Sequence, residues 1–435
     1  MIDSEQQHYC RHLIEANKKH RVTTTQPIYN RQGVLLLAKG ADMDERRAQV
    51  LLEHKLLKPL EECVAIADSL NAHQLFDYLN NFSRRLPGLY AVTCQPEFQN
   101  TLRSMCLFYE RYPLLHQNLT MLALRCKSIY YQGLFCALAG VAIASKLRLS
   151  LQEQQTTFVA SLFHDVGFLY LAPELCTKTQ DFTAAEWKAL QAHPLIAQRF
   201  LAMVPDLPGA IGEAIADHHE RIDGTGFPRY LFGDKISMVS QIIAATDNIV
   251  HNHNRYQSYG PHAHQMLLAA LKLSDNIYFE SVYDAATVLF KIAPKPTAAI
   301  NQLPSSDLLL ARQQKLRTQF STAKTLAQQL TQHSKHPGVR SMLAAMARLG
   351  ICVARSGILQ PEQEEWLRGI SSENSNQDGF SLIEISVMQD QIYDQLVHLK
   401  NLMERLVEAL PQDDQQLAHF NTSLEKIDLD TTAFA

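Results

Sequence analysis

The runs His164-Asp165-Val166-Gly167 and His218-His219-Glu220-Arg221-Ile222-Asp223-Gly224-Thr225-Gly226-Phe227-Pro228 concentrate metal-ligating side chains beside turn-forming residues. With His193 between them and Asp247 after them, they offer neutral imidazoles and carboxylates, a donor set suited to iron, manganese or zinc. A single histidine at a helix end is more often a surface or satisfied core residue, and His116, His262 and His264 are read that way. Six donors in one segment, His164, Asp165, His193, His218, His219 and Asp247, are hard to explain by packing alone. Gly224 and Gly226 permit positive φ, so the loop around them can turn tightly beside the histidine pair.

Working outward, 435 residues are long for one core, and two to three domains are expected. A net charge of -4 leaves no broad basic face, which argues against duplex nucleic acid as a partner. The eight cysteines are scattered and never form a CxxC pair, a pattern suited to reduced thiols and a cytoplasmic location. No basic-then-apolar signal pattern opens the chain. The longest apolar run, 134–145, falls short of the roughly 20 residues that cross a bilayer and reads as a buried helix, so no membrane span is expected.

The fold class expected is mainly α, in four parts. Residues 1–68 read as a small α+β module: strands at 23–29 and 34–38 flank a turn, a capping box from Asp42 to Glu45 opens a helix, and 57–64 returns as a third strand. From 69 to 293 the pattern is helical, broken at Pro87-Gly88, with capping boxes at Ser150–Glu153 and Thr183–Glu186 that start the helices carrying His164 and His193. Pro294 to Ser306 reads as a linker, and 307–435 as further helices with a polar loop at 371–378. In the last helix, 382–410, apolar residues recur at three- and four-residue steps, which fits a seam within a bundle or a short coiled coil; a homodimer is one consequence considered.

His164 and Asp165 leave a helix about 100° apart, so both reach one ion only where the helix end faces a cavity. A carboxylate such as Asp165 can bridge two ions, and the six donors suffice for two with positions left for water. Such pairs suit phosphoester hydrolysis.

His164-Asp165-x-Gly167, His193-Pro194, His218-His219-Glu220-x-x-Asp223-Gly224-x-Gly226-Phe227-Pro228 and Asp247 resemble the HD-GYP family of HD phosphohydrolases, over roughly residues 115–290. The resemblance implies an HD-GYP-type helical domain, His164 and Asp165 as the catalytic pair, one or two divalent ions with iron or manganese ahead of zinc, and hydrolysis of the bacterial messenger cyclic di-GMP or a related nucleotide. It leaves the two ends of the chain, and any protein partner they engage, unassigned.

Three positions depart from the family pattern. Gln132 stands where the family has its first metal-binding histidine, and Ser128 where three-ion members carry an acid. Phe168 replaces the lysine that helps hold substrate phosphate. Phe227 replaces the tyrosine of the GYP triplet, losing a hydroxyl and keeping the ring. His251, four residues after Asp247 on one helix, is a candidate replacement ligand, though a solvent-facing role is the simpler reading; Arg255 does not align cleanly with the family's arginine-containing run. Two readings stand: a working phosphodiesterase, or a catalytically impaired signalling module that binds a nucleotide or a protein partner.

Overall fold

A computed structural model describes residues 2–409 except 177, 179–182, 274–276, 292–302, 334–335 and 371–378, together with 424 and 427. The chain opens with α1 (Ile2–Asn17), whose buried face carries Tyr9, Leu13 and Ala16 but also Cys10 and His12. That mixture hides the helix from an apolar-periodicity reading. Then come β1 (Val22–Thr24), β2 (Ile28–Tyr29), β3 (Leu35–Leu37), α2 (Glu45–Leu52) and β4 (Val64–Ile66). β1 pairs antiparallel with β4, Val22 opposite Ile66, and β2 pairs antiparallel with β3.

Three local expectations are corrected here. The strand expected at 23–29 is two strands, because Pro27 has no N–H for the ladder and Thr25 turns its N–H to the Cys63 carbonyl. The cap of α2 is Asp44, which accepts from the Arg47 N–H at 2.8 Å, while Asp42 is bound by Arg21 Nε at 2.8 Å. The third strand begins only at Val64, since Leu60–Cys63, after Pro59, winds as a 3₁₀ turn.

The helical region comprises α3 (Ala72–Ser83), α4 (Pro87–Thr93), α5 (Pro96–Tyr109), α6 (Pro113–Arg125), α7 (Lys127–Lys146), α8 (Leu151–Phe163), α9 (Ala184–Gln191), α10 (His193–Leu201), α11 (Gly209–Ala216), α12 (Met238–Arg255), α13 (Ala263–Leu271) and α14 (Glu280–Lys291). Pro87 opens α4 as well as interrupting the run before it, as suits proline at a first helical turn. Both expected capping boxes are present, at Ser150–Glu153 and Thr183–Glu186. The second starts α9, which stops at Gln191; His193 begins the next helix instead, because Pro194 cannot extend α9 with an N–H. By length and composition α7 passes as a membrane span, yet 78% of its apolar window is buried inside the protein, where it packs on α8 and α12.

One continuous core runs from Tyr9 to Phe290. In it the ring of Tyr9 stacks on Tyr170 at 5.2 Å and its hydroxyl accepts from Gln117 Nε2 at 2.9 Å, docking α1 onto the helical region. A second core is built by α15 (Ser306–Gln329), α16 (Pro337–Ser356), α17 (Pro361–Gly369) and α18 (Gly379–Ala409). The apolar series of α18, including Leu382, Ile392, Leu396, Leu399 and Met403, is buried against α15 and α16, so the described pattern is an intramolecular seam. Position 410, the linker residues 294–302 and the loop at 371–378 lie outside the described residues, while Ser305 caps α15. The far side of α18 crosses the helical region: Arg255 of α12 pairs with Asp390 and Asp394, and Gln391 Nε2 donates to Asn252 Oδ1 at 2.8 Å.

Candidate metal centre and its cavity

Four helix ends and one helix face supply the centre. His164 caps the C-terminus of α8, Asp165 follows it at the entry to a 3₁₀ turn (Val166–Tyr170), His193 opens α10, His218 and His219 follow α11, and Asp247 projects from α12. Gly167 lets that turn press on α10, since a Cβ there would lie 2.2 Å from the His193 carbonyl oxygen.

Three imidazoles are oriented by one device. The Nδ1–H of His164 donates to the Ser161 carbonyl at 2.7 Å, that of His193 to Leu190 at 2.5 Å, and that of His218 to Ile215 at 2.6 Å. A carbonyl only accepts, so each ring carries a proton on Nδ1 and turns its Nε2 inward. The Nε2 of His193 lies 3.0 Å from Asp165 Oδ1, and that of His218 lies 3.9 Å from the same oxygen. His164 Nε2 instead faces Asp165 Oδ2 at 3.5 Å and Asp247 Oδ1 at 3.6 Å. The donors thus fall into two groups, Asp165 with His193, His218 and His219, and His164 with Asp247 and Cys136, the atoms of each group lying within 4.8 Å of one another.

Electrostatics fit a cation between them. Burial opposes a charge on His164, but Asp165 and Asp247 push it up to about 9. Burial and the neighbouring His164 and His193 hold His218 down to about 3, and burial with His218 and His193 holds His219 well below the usual histidine range. Burial disfavours the charge on Asp165 and Asp247, yet the histidines hold both carboxyls below the usual range. His164 Nε2 is buried without a hydrogen-bond partner, an orphan that a metal ion would satisfy.

The glycine-bearing loop is a support. Glu220, fully buried, accepts from the backbone N–H of Arg229 at 2.5 Å and of Leu231 at 2.9 Å, folding the loop back on itself. Asp223 accepts from the Thr225 N–H at 3.1 Å and hydroxyl at 2.7 Å. Gly226 permits a close backbone approach, because a Cβ would sit 2.4 Å from the His219 carbonyl oxygen. Phe227, next to Pro228, lays its ring on His219 at 4.6 Å between centroids. Phe168 packs its ring 4.9 Å from that of His193, at the place where the family lysine is missing.

A cavity of about 660 Å³, within the rough 300–1,000 Å³ range of small-molecule sites, opens over Asp165, His193, His219 and Asp247. Its far wall belongs to the C-terminal bundle, with Arg348 of α16 and Gln391, Gln395 and His398 of α18. Gln132 and His251 both line it and stand outside the two donor groups; His251 is exposed, and Arg255 is engaged by α18. The sequence reading missed Cys136, one turn after Gln132 on the inner side of α7, and three cations on the cavity wall, Lys178, Arg221 and Arg348. Arg221 lay inside the quoted run as an unassigned position. Arg348 could be placed only by folding: it pairs with Asp223, which is far from it in sequence.

An all-helical domain with His-Asp donors gathered at helix ends is the HD class of metal-dependent proteins. Residues 116–273 match the family described as HD domain, and that segment is similar to proteins of the HD-GYP type of the HD superfamily. It is 33% identical over 105 residues to a 3'3'-cGAMP-specific phosphodiesterase 3 of Vibrio cholerae, covering 24% of this chain and 23% of that protein. It is 28% identical over 109 residues to the cyclic di-GMP phosphodiesterase PdeB of Borreliella burgdorferi, covering 25% and 28%. The matched segment spans about a quarter of the length of these relatives. A solved HDG"Y"P protein from Bdellovibrio bacteriovorus aligns with 62% of this chain and 95% of its own, at 13% identity and a TM-score of 0.33.

Proposed function

We propose that this chain is a metal-dependent phosphodiesterase that opens a cyclic dinucleotide, cyclic di-GMP or 3'3'-cGAMP, in the cavity between the HD centre and the C-terminal bundle. One observation carries the reading: Asp165 turns Oδ1 to His193 and His218 and Oδ2 to His164, the arrangement of a carboxylate bridging two cation positions. His193, His218 and His219 would hold one ion, and His164 and Asp247 the other, with Cys136 in place of the ligand that Gln132 does not supply. Divalent ions so held acidify a water and stabilise charge on a phosphoryl oxygen. The nitrogen and oxygen donors suit iron or manganese, and a Cys136 thiolate draws the second position toward a softer ion.

The chain's own groups bind and orient the diester. Phe168 and Phe227 wall the donors with apolar rings and limit water around them. With the family lysine absent at Phe168, the cations that line the cavity among the described residues are Arg221 on the loop, Arg348 on α16, which substrate phosphate would draw from Asp223, and Lys178, held by Glu186 at 2.8 Å. The test is metal analysis of anaerobically purified protein alongside hydrolysis of both dinucleotides. Two ions in the His-Asp centre, counted as the ions lost in Asp165→Asn, with a linear dinucleotide product are expected. Two ions in that centre and no product at high enzyme concentration overturn the substrate; at most one ion there overturns the two-position reading.

A further inference from the structure

A second set of soft donors lies away from the HD centre, where α1 meets the α6–α7 junction and the 3₁₀ turn Pro173–Cys176. Cys126, between α6 and α7, and Cys176, at the end of that turn, are both buried, with their sulfurs 2.6 Å apart. His12 of α1 is 1% exposed, and among the described residues its ring nitrogens have no hydrogen-bond partner other than the Cys176 thiol. The donor atoms of these three residues all lie within 4.8 Å of one another. One helical turn earlier, on the same face of α1, the buried Nδ1 of His8 is without a partner among the described residues.

Two explanations compete for the sulfur contact, which is well inside the roughly 3.5–4.0 Å at which unbonded heavy atoms pack. A disulfide would relieve it and leave the nitrogens of His12 unpartnered in the interior, where polar groups are almost always satisfied. A tetrahedral cation accounts for both thiols and the His12 imidazole at once. Zinc bonds of about 2.0–2.3 Å place neighbouring ligand atoms roughly 3.3–3.8 Å apart, within the 4.8 Å that encloses the three donors, and the two sulfurs, now 2.6 Å apart, would separate by about 1 Å to take such an ion.

We propose that His12, Cys126 and Cys176 supply three ligands of a structural site for zinc or a similarly soft divalent cation. It is separate from the His-Asp centre in position and in chemistry. The ion ties α1 to the segment that follows the His164-Asp165 turn, beside the stacked rings of Tyr9 and Tyr170. That fixes the N-terminal helix on the helical domain through ligand bonds as well as packing.

The test uses the full chain, purified without added chelator, and reads zinc by elemental analysis and cysteine state by intact mass. Wild type, and the Asp165→Asn variant that damages the HD centre, are both expected to retain this zinc. His12→Ala and Cys126→Ser are each expected to lose about one equivalent. To guard against variants that do not fold, a Cys136→Ser protein is titrated with a mercurial thiol reagent in the presence of a chromophoric zinc chelator. One zinc should be released as the Cys126 and Cys176 thiols are blocked. Zinc content equal to wild type in both His12→Ala and Cys126→Ser, no zinc released in the titration, or a Cys126–Cys176 disulfide in protein isolated anaerobically would overturn the proposal.

Discussion

At the scale of the residue, Asp165 does the most with the least, since its two oxygens face different imidazoles. Asp165→Asn keeps the shape and removes the bridging charge. Metal in the His-Asp centre should fall from two ions toward none, and hydrolysis by more than the roughly 10–100-fold that changes behind the ligands typically cost; elemental analysis and product chromatography read both. Cys136→Ser is a subtler change, because it should empty only the His164–Asp247 position. One of two ions is then lost while the other is retained, and unchanged stoichiometry would return Cys136 to a purely packing role. The motif residues needed no structure to be noticed. Cys136 did, because a lone cysteine in an apolar helix reads as core until the fold sets it against His164 and Asp247.

Among the elements, helix termini do the positioning. The capping boxes at Ser150 and Thr183 were legible because they depend on residues three apart in sequence. The contact of the Val166–Tyr170 turn with α10 was not, since it depends on a backbone approach that only Gly167 allows. Gly167→Ala should therefore destabilise the protein by about 1–3 kcal/mol, as overpacking does, and displace His193; a lowered melting temperature together with reduced metal content is the expected pair of results. α18 is the other decisive element, clamped by Arg255 to Asp390 and Asp394. Arg255→Ala leaves Asp390 with only Arg312, at 3.4 Å, and should cost about 1–3 kcal/mol in denaturant unfolding.

For the whole molecule, the C-terminal bundle completes the cavity. Arg348 comes from α16, outside the segment that matches the HD domain, yet it shares the cavity wall with Arg221 and pairs with Asp223. If it receives substrate phosphate, Arg348→Gln should raise KM several-fold with a smaller change in kcat, and steady-state kinetics with either dinucleotide separates the two. Removing metal acts on the whole fold as well. Because the ions bind the folded chain, a free concentration one hundred times Kd adds about 2.7 kcal/mol of stability, so treatment with chelator should lower the melting temperature and re-addition should restore it.

What the sequence determined by itself was the chemistry that neighbours in the chain can express: the His-Asp and His-His pairs, the glycine-bearing loop, the helix caps, and the departures at Gln132 and Phe168. These are local, because spacing along one helix or one turn fixes which side chains share a face. Only the tertiary structure decided how the donors divide around Asp165, that Cys136 joins the half lacking Gln132's counterpart, and that α16 and α18 roof the site. Residues brought together from opposite ends of a chain leave no periodic trace in it. Their meeting is set by how two cores pack, and so the two pairs of residues that first marked the site could not show what closes over it.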